Sequence, residues 1–128
     1  MLARDLRGRV CLVTGANQGL GFETAKELAK RGCTLYMACR SEDKGKAAVE
    51  KVQAESENKD VHLKVVDLAS IASIKALAQD LENKQTRLHV LVNNAGVMVR
   101  PAPPLRHVVV GTCCLLRAFR CQANDDLR

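Results

Sequence analysis

Aromatic side chains are nearly missing from these 128 residues: there is no tryptophan, one tyrosine (Tyr36) and two phenylalanines (Phe22, Phe119). A core built here must be aliphatic, and a nucleic-acid surface that stacks bases between aromatic rings is excluded. No basic stripe compensates. Residues 1–99 carry fifteen Lys+Arg against twelve Asp+Glu, while residues 100–128 carry five against two. No apolar run approaches the ~20 residues of a bilayer-spanning helix. The longest candidate, Val108 to Leu116, is interrupted by Gly111 and Thr112 and followed by Arg117, so no transmembrane segment is expected. Metal-ligand spacing is also lacking. His62, His89 and His107 are scattered, and Cys113-Cys114-x6-Cys121 has no paired C-x2-C, so no metal site is expected. Charge interrupts Met1-Leu2-Ala3-Arg4-Asp5 at once, which reads against a secretory leader. Cys11, Cys33 and Cys39 lie in apolar runs, as small core residues do. The expected setting is a reducing, cytoplasmic compartment.

What is present is a regular alternation. Val10-Cys11-Leu12-Val13 is a short apolar run entering a glycine-rich turn, as a buried parallel strand would. From Leu20 to Lys30, Phe22, Ala25, Leu28 and Ala29 recur at helical spacing, with Glu23, Lys26, Glu27 and Lys30 facing away and Gly32 as the stop. Thr34 to Cys39 reads as a second strand, and Ser41 caps a helix through Lys44, Ala47, Ala48 and Lys51. Val61 to Val66 is a third strand. Ser70 caps a third helix with Ile71, Ile74, Leu77, Ala78 and Leu81 on one stripe, and Leu88 to Val92 is a fourth strand. Strands and helices alternating at this spacing specify an α/β fold with right-handed crossovers: a partial doubly wound parallel sheet, Rossmann-like, in strand order 3-2-1-4. The pattern gives a dinucleotide-binding domain over residues 1–99. After Val99, Arg100-Pro101-Ala102-Pro103-Pro104 cannot continue a regular element, and 100–128 reads as an irregular, basic, cysteine-containing tail.

The chemistry sits in the turn Thr14-Gly15-Ala16-Asn17-Gln18-Gly19-Leu20-Gly21. Gly15 permits a backbone that a side chain would oppose, Gly19 lets the backbone approach a pyrophosphate, and Gly21 permits close helix packing. The helix that follows offers unpaired N–H groups and a positive dipole end to phosphates. Thr14 and Asn17 can hydrogen-bond within the loop. Arg40, just after the second strand, stands where a carboxylate would favour NAD, and an arginine accommodates the extra phosphate of NADP. NADP is therefore the expected cofactor, with NAD second.

Three blocks together resemble the short-chain dehydrogenase/reductase family: Thr-Gly-x-x-x-Gly-x-Gly at 14–21, Asp67-Leu68 after the third strand, and Asn93-Asn94-Ala95-Gly96 after the fourth. The run Leu35 to Arg40 is similar to its retinol-dehydrogenase-like branch. The resemblance covers about residues 8–99. It implies that Asp67 and Leu68 lie at the adenine, that Asn93 ties the central strands together, and that Asn94, Ala95 and Gly96 line the cofactor's path. It also implies hydride transfer between NADP(H) and a carbonyl or alcohol, using a tyrosine and a lysine four residues later. That pair is absent. The only tyrosine is Tyr36, Arg40 stands four later, and no lysine follows Lys84. On a strand, four residues span ~13 Å, so Tyr36 and Arg40 cannot act as the family's helical pair. The chain is expected to be a truncated form that binds cofactor with no catalytic residue of its own. Two alternatives stand beside that reading. One is a non-catalytic nucleotide-binding or interaction module pairing with itself or another chain through the exposed edge of strand four. The other is an unstable product.

Overall fold

Val10–Thr14 forms β1 and Thr34–Cys39 forms β2 because both are nearly unbroken apolar runs, which suits strands covered on both faces. They pair in parallel with Leu12 opposite Tyr36 and Thr14 opposite Ala38. β3 (Val61–Val65) lies beyond β2, and β4 (Val90–Val92) lies on the other side of β1. The order is β3-β2-β1-β4, all parallel, as expected from the sequence. The computed structural model describes residues 5–84 and 87–95. This sheet, α1 (Gly19–Lys30) and α2 (Glu42–Ser56) form a first unit, which ends at Val65 and resumes over Leu88–Ala95. Residues 100–128, including His107 and the three tail cysteines, lie outside the described residues.

The scarcity of aromatics is met by close approach. One sheet face presents Cys11, Val13, Leu35 and Met37 to Ala25 and Ala29 of α1 and to Ala48 and Val52 of α2. Leu12, Leu35 and Met37 are fully buried, each contributing about 1.5–3 kcal/mol. Small residues let the helices come down onto the strands. A Cβ on Gly45 of α2 would stand 2.5 Å from Leu63 Cδ1. Gly32, at φ +84°, ends α1 by donating its N–H to Ala29 O at 2.9 Å, as the sequence predicts. The turn after α2 is held by Asn58, whose Nδ2 donates to Ala29 O (3.0 Å) and Cys33 O (2.9 Å). Glu57, just before it, is the one non-glycine described residue at positive φ (58°).

Lys26 departs from the expected pattern. Helical spacing puts it on the solvent face, yet its side chain is only 17% exposed. Glu23 one turn back (2.8 Å) and Glu55 on α2 (3.2 Å) hold its ammonium, and Nζ stands over the Phe22 ring, 5.7 Å from its centre.

The second unit is described from Val66 to Lys84 and at Arg87. Its helix α3 (Ile71–Asn83) starts where Ser70 Oγ accepts the Ser73 N–H (3.3 Å). Ile74, Leu77, Ala78 and Leu81 are buried, whereas Ile71 is 50% exposed. The apolar stripe begins one turn later than periodicity suggests, because Ile71 occupies the first helical position.

Candidate cofactor site

Thr14 ends β1 with its side chain 1% exposed. The sequence suggested hydrogen bonding within the loop, but this hydroxyl reaches across to the other block. It donates to Val92 O (3.4 Å) and accepts the N–H groups of Asn94 and Ala95, each at 3.1 Å. Asn94 returns the contact through Nδ2, which donates to Gly15 O at 3.4 Å. The two glycine-containing blocks, some eighty residues apart in the chain, are thereby clasped at the C-terminal ends of β1 and β4.

The glycines in the clasp have separate reasons to be glycine. Gly15 sits at φ +63°, and a Cβ there would come within 2.9 Å of Ala95 Cα. A Cβ on Gly21 would collide with Asn94 Nδ2 and Gly15 O. Gly19, at φ +62°, faces open space, so only its backbone conformation demands glycine. The open approach over Gly19 is the room a phosphate would need.

The start of α1 is unlike the other helix starts. Ser41 and Ser70 cap α2 and α3 with their hydroxyls, and Glu42 and Asp43 occupy the first turn of α2. Gln18, at the N-cap of α1, makes no side-chain cap, and the first turn holds no acidic residue. Its N–H groups and positive dipole end stand open at the loop. Leu20 in that turn is 80% exposed, an apolar side chain with nothing over it among the described residues.

Below the loop lies Cys39, buried at the end of β2. Burial pushes its thiol up, while the backbone N–H groups of Ala16 and Asn17 pull it back. Cys33 is held protonated more firmly: its hydrogen bond with Cys11, then burial, pushes it far above the ordinary range, and it donates to Leu28 O at 3.2 Å. The same hydrogen bond pulls the Cys11 thiol down against the push of burial, and all three thiols are buried. Tyr36 is buried in β2 as a core residue, with its ring 5.4 Å from that of His62 and Lys64 Nζ 5.5 Å from its centre.

The remaining expected site residues divide. Asn17 is half-buried and Gln18 exposed on the rim of the loop. Arg40 is exposed in the bend after β2. Asn93 is exposed, and the tie between strands runs through Asn94 and Thr14. Asp67 and Leu68 belong to the second unit, where Asp67 Oδ1 accepts the Ala69 N–H (3.0 Å) and its own N–H meets Ser73 Oγ (2.9 Å). Gly96 lies outside the described residues. Among the described residues no cluster of three metal-ligating side chains occurs, and no helix is long and apolar enough to cross a membrane.

Comparison with known proteins gives this geometry its relatives. The family model for short chain dehydrogenase matches residues 9–109. Mouse retinol dehydrogenase 11 is 50% identical over 97 residues, covering 76% of this chain and 31% of the relative. The short-chain dehydrogenase/reductase drtF of Aspergillus calidoustus is 48% identical over the same length, again 76% of this chain and 31% of the relative. The chain thus spans about a third of the relatives it matches. Among solved structures, menthone neomenthol reductase from Mentha piperita superposes with a TM-score of 0.65 at 42% identity, over 70% of this chain and 32% of that one. A short chain dehydrogenase from Escherichia coli CFT073 complexed with NADPH gives a TM-score of 0.79 at 26% identity, over 94% and 55%.

Proposed function

The chain belongs to the short-chain dehydrogenase family, and from that footing we propose that it binds NADP at the clasped glycine loop and turns nothing over with its own side chains. The observation that carries the reading is the bare N-terminus of α1, held open toward Gly19 while both other described helices are capped. Pyrophosphate oxygens would accept the N–H groups of that first turn, with no carboxylate nearby to repel them. The exposed Leu20 would be covered by the cofactor. Arg40 would take the 2′-phosphate, Asp67 and Leu68 the adenine, and Ala95 and Gly96 the path toward the nicotinamide. When bound, the nicotinamide supplies or accepts a hydride.

Proton transfer has no provider here. The single tyrosine is buried in β2, and arginine rather than lysine stands four residues after it. The whole protein of which these residues would be the cofactor-binding part exchanges hydride between NADP(H) and a carbonyl or alcohol. Relatives named for retinol support a lipophilic substrate. The three buried free thiols support a reducing, cytoplasmic setting.

Thermal unfolding of the purified chain during NADPH and NADH titrations tests this. Saturable stabilisation by NADPH, stronger than by NADH, is expected; stabilisation by neither would refute cofactor binding. NADPH oxidation with a panel of carbonyl compounds would refute the absence of turnover. A second reading rests on β4, whose Val90, Leu91 and Val92 are only half-buried and pair with β1 alone among the described residues. In that reading the chain is a nucleotide-binding module that pairs through this edge, and a strictly monomeric species in light scattering across concentrations would rule out self-pairing.

A further inference from the structure

Cys11 and Cys33 are far apart in the chain and meet in the core. Cys11 is the second residue of β1, and Cys33 stands between Gly32 and the first residue of β2. Cys11 lies opposite Leu35, so Cys33, two residues earlier, falls on the same face of the sheet beside it. Both are 0% exposed, in the cluster that Ala25 and Ala29 of α1 cover, and the two thiols are hydrogen-bonded to each other. Leu6 packs against the same cluster, in a segment tied to the end of α1 by its N–H on Arg31 O at 2.9 Å.

We infer that Cys11 and Cys33 are a paired redox site that closes to a disulfide in the folded chain when a peroxide reaches it. The inference is independent of the cofactor reading. The bond between the thiols favours the Cys11 thiolate, so Cys11 is the attacking sulfur. It attacks one peroxide oxygen: the S–O bond forms, the O–O bond breaks and hydroxide leaves. Cys33 sulfur then attacks Cys11 sulfur, the S–S bond forms, and the sulfenic oxygen leaves as water with the Cys33 proton. The thiols lose two electrons and two protons, and the peroxide becomes two waters. Loss of the Cys33 S–H orphans nothing, because Leu28 O, which accepts it at 3.2 Å, also accepts the Arg31 N–H at 3.1 Å. Local release of the Leu6 segment is the route for a small oxidant. The bond ties residue 11 to residue 33 around the glycine loop and α1, at the end of the strands away from the clasp. In reducing surroundings the pair rests as the free thiols seen here, and the disulfide is transient.

The test treats the full chain with hydrogen peroxide in native buffer, alkylates the remaining thiols and digests with trypsin without reductant. Mass spectrometry is expected to find the peptide of residues 10–26 joined to that of residues 32–40 through Cys11 and Cys33. Dithiothreitol should undo the link. Cys39 shares the second peptide but lies six residues along β2 from Cys33, about 20 Å away, and serves as the internal control. Cys39→Ala should keep the link and Cys33→Ala should abolish it. The linked chain should also unfold at a higher temperature, by as much as about 10 °C, because the bond removes loop entropy from the unfolded state. The inference is overturned by no link, by a link to Cys39 instead, or by one that forms only after urea has unfolded the chain. A linked chain that melts no higher than the reduced one overturns it as well.

Discussion

Replacing Thr14 by valine keeps the shape of the clasp and deletes its hydroxyl. Three contacts go together: the donation to Val92 O and the acceptance of the Asn94 and Ala95 N–H groups. They are not equal. The 3.4 Å donation is long and contributes little. The Asn94 N–H keeps a second acceptor, Val92 O at 3.1 Å, so it is only partly orphaned. The Ala95 N–H loses the acceptor it has, in a part-buried setting, at a cost of about 1–3 kcal/mol. With a smaller contribution from Asn94, Thr14→Val should lose about 2–4 kcal/mol, a large share of the ~5–15 kcal/mol typical of a domain. At about 4–8 °C per kcal/mol, this lowers Tm by more than ~8 °C. Thr14→Ser, which keeps the hydroxyl, should lose at most about 1.5 kcal/mol from the missing methyl group. Urea unfolding followed by circular dichroism measures the totals, and amide hydrogen exchange localises them. The Asn94 and Ala95 amides should lose protection in Thr14→Val while the β1–β2 amides are unaffected below the global unfolding limit. A loss under about 0.5 kcal/mol, the noise of a neutral surface change, or unchanged exchange at Asn94 and Ala95, would refute the clasp as a support of the site.

Other outcomes follow from the same packing. Gly21→Ala places a Cβ against Asn94 Nδ2 and Gly15 O, so it should destabilise the chain and abolish NADPH-dependent stabilisation in the thermal titration. Glu57→Gly relieves a left-handed backbone and should raise stability by about 0.5–1 kcal/mol in urea, where a decrease would show that the side chain matters more than the strain. The Thr34 hydroxyl, helped by His62, holds the Asp60 carboxyl below its ordinary value. That contribution is present above the unfolded carboxylate value of about 4 and is lost as pH falls through the lower folded value. Asp60→Asn should therefore flatten the acid limb of the urea midpoint against pH, and an identical slope would count against the pairing.

The strands and helices of the first unit were legible because their apolar runs are local and uniform. β1 extends one residue further than its run suggested, to Thr14, because Gly15 still donates to Ala38 O. Charge pattern misled at Lys26, since Glu55, which helps cover it, comes from another helix and is invisible to spacing within one. The glycines could be named from the turn and Arg40 from its place after the second strand, but the partners of Thr14 could not, because they lie 78–81 residues away. Asn93 and Asn94 are adjacent and chemically identical. Only the fold distinguishes the one that turns back toward Gly15 from the one left in solvent.

The strand order has a consequence for the timing of assembly. β1, β2 and β3 are laid down in sequence, each beside its predecessor, so their pairing needs only the short βαβ closures between them. β4 must return past both and settle against β1, and that closure of about 80 residues is the slowest kind of contact to form. A growing chain that has finished β3 already has its glycine loop but not the wall provided by Asn94 and Ala95. On the proposed reading nucleotide affinity would be a late acquisition, and a dinucleotide in the surrounding medium would favour the folded molecules in which the fourth strand has docked.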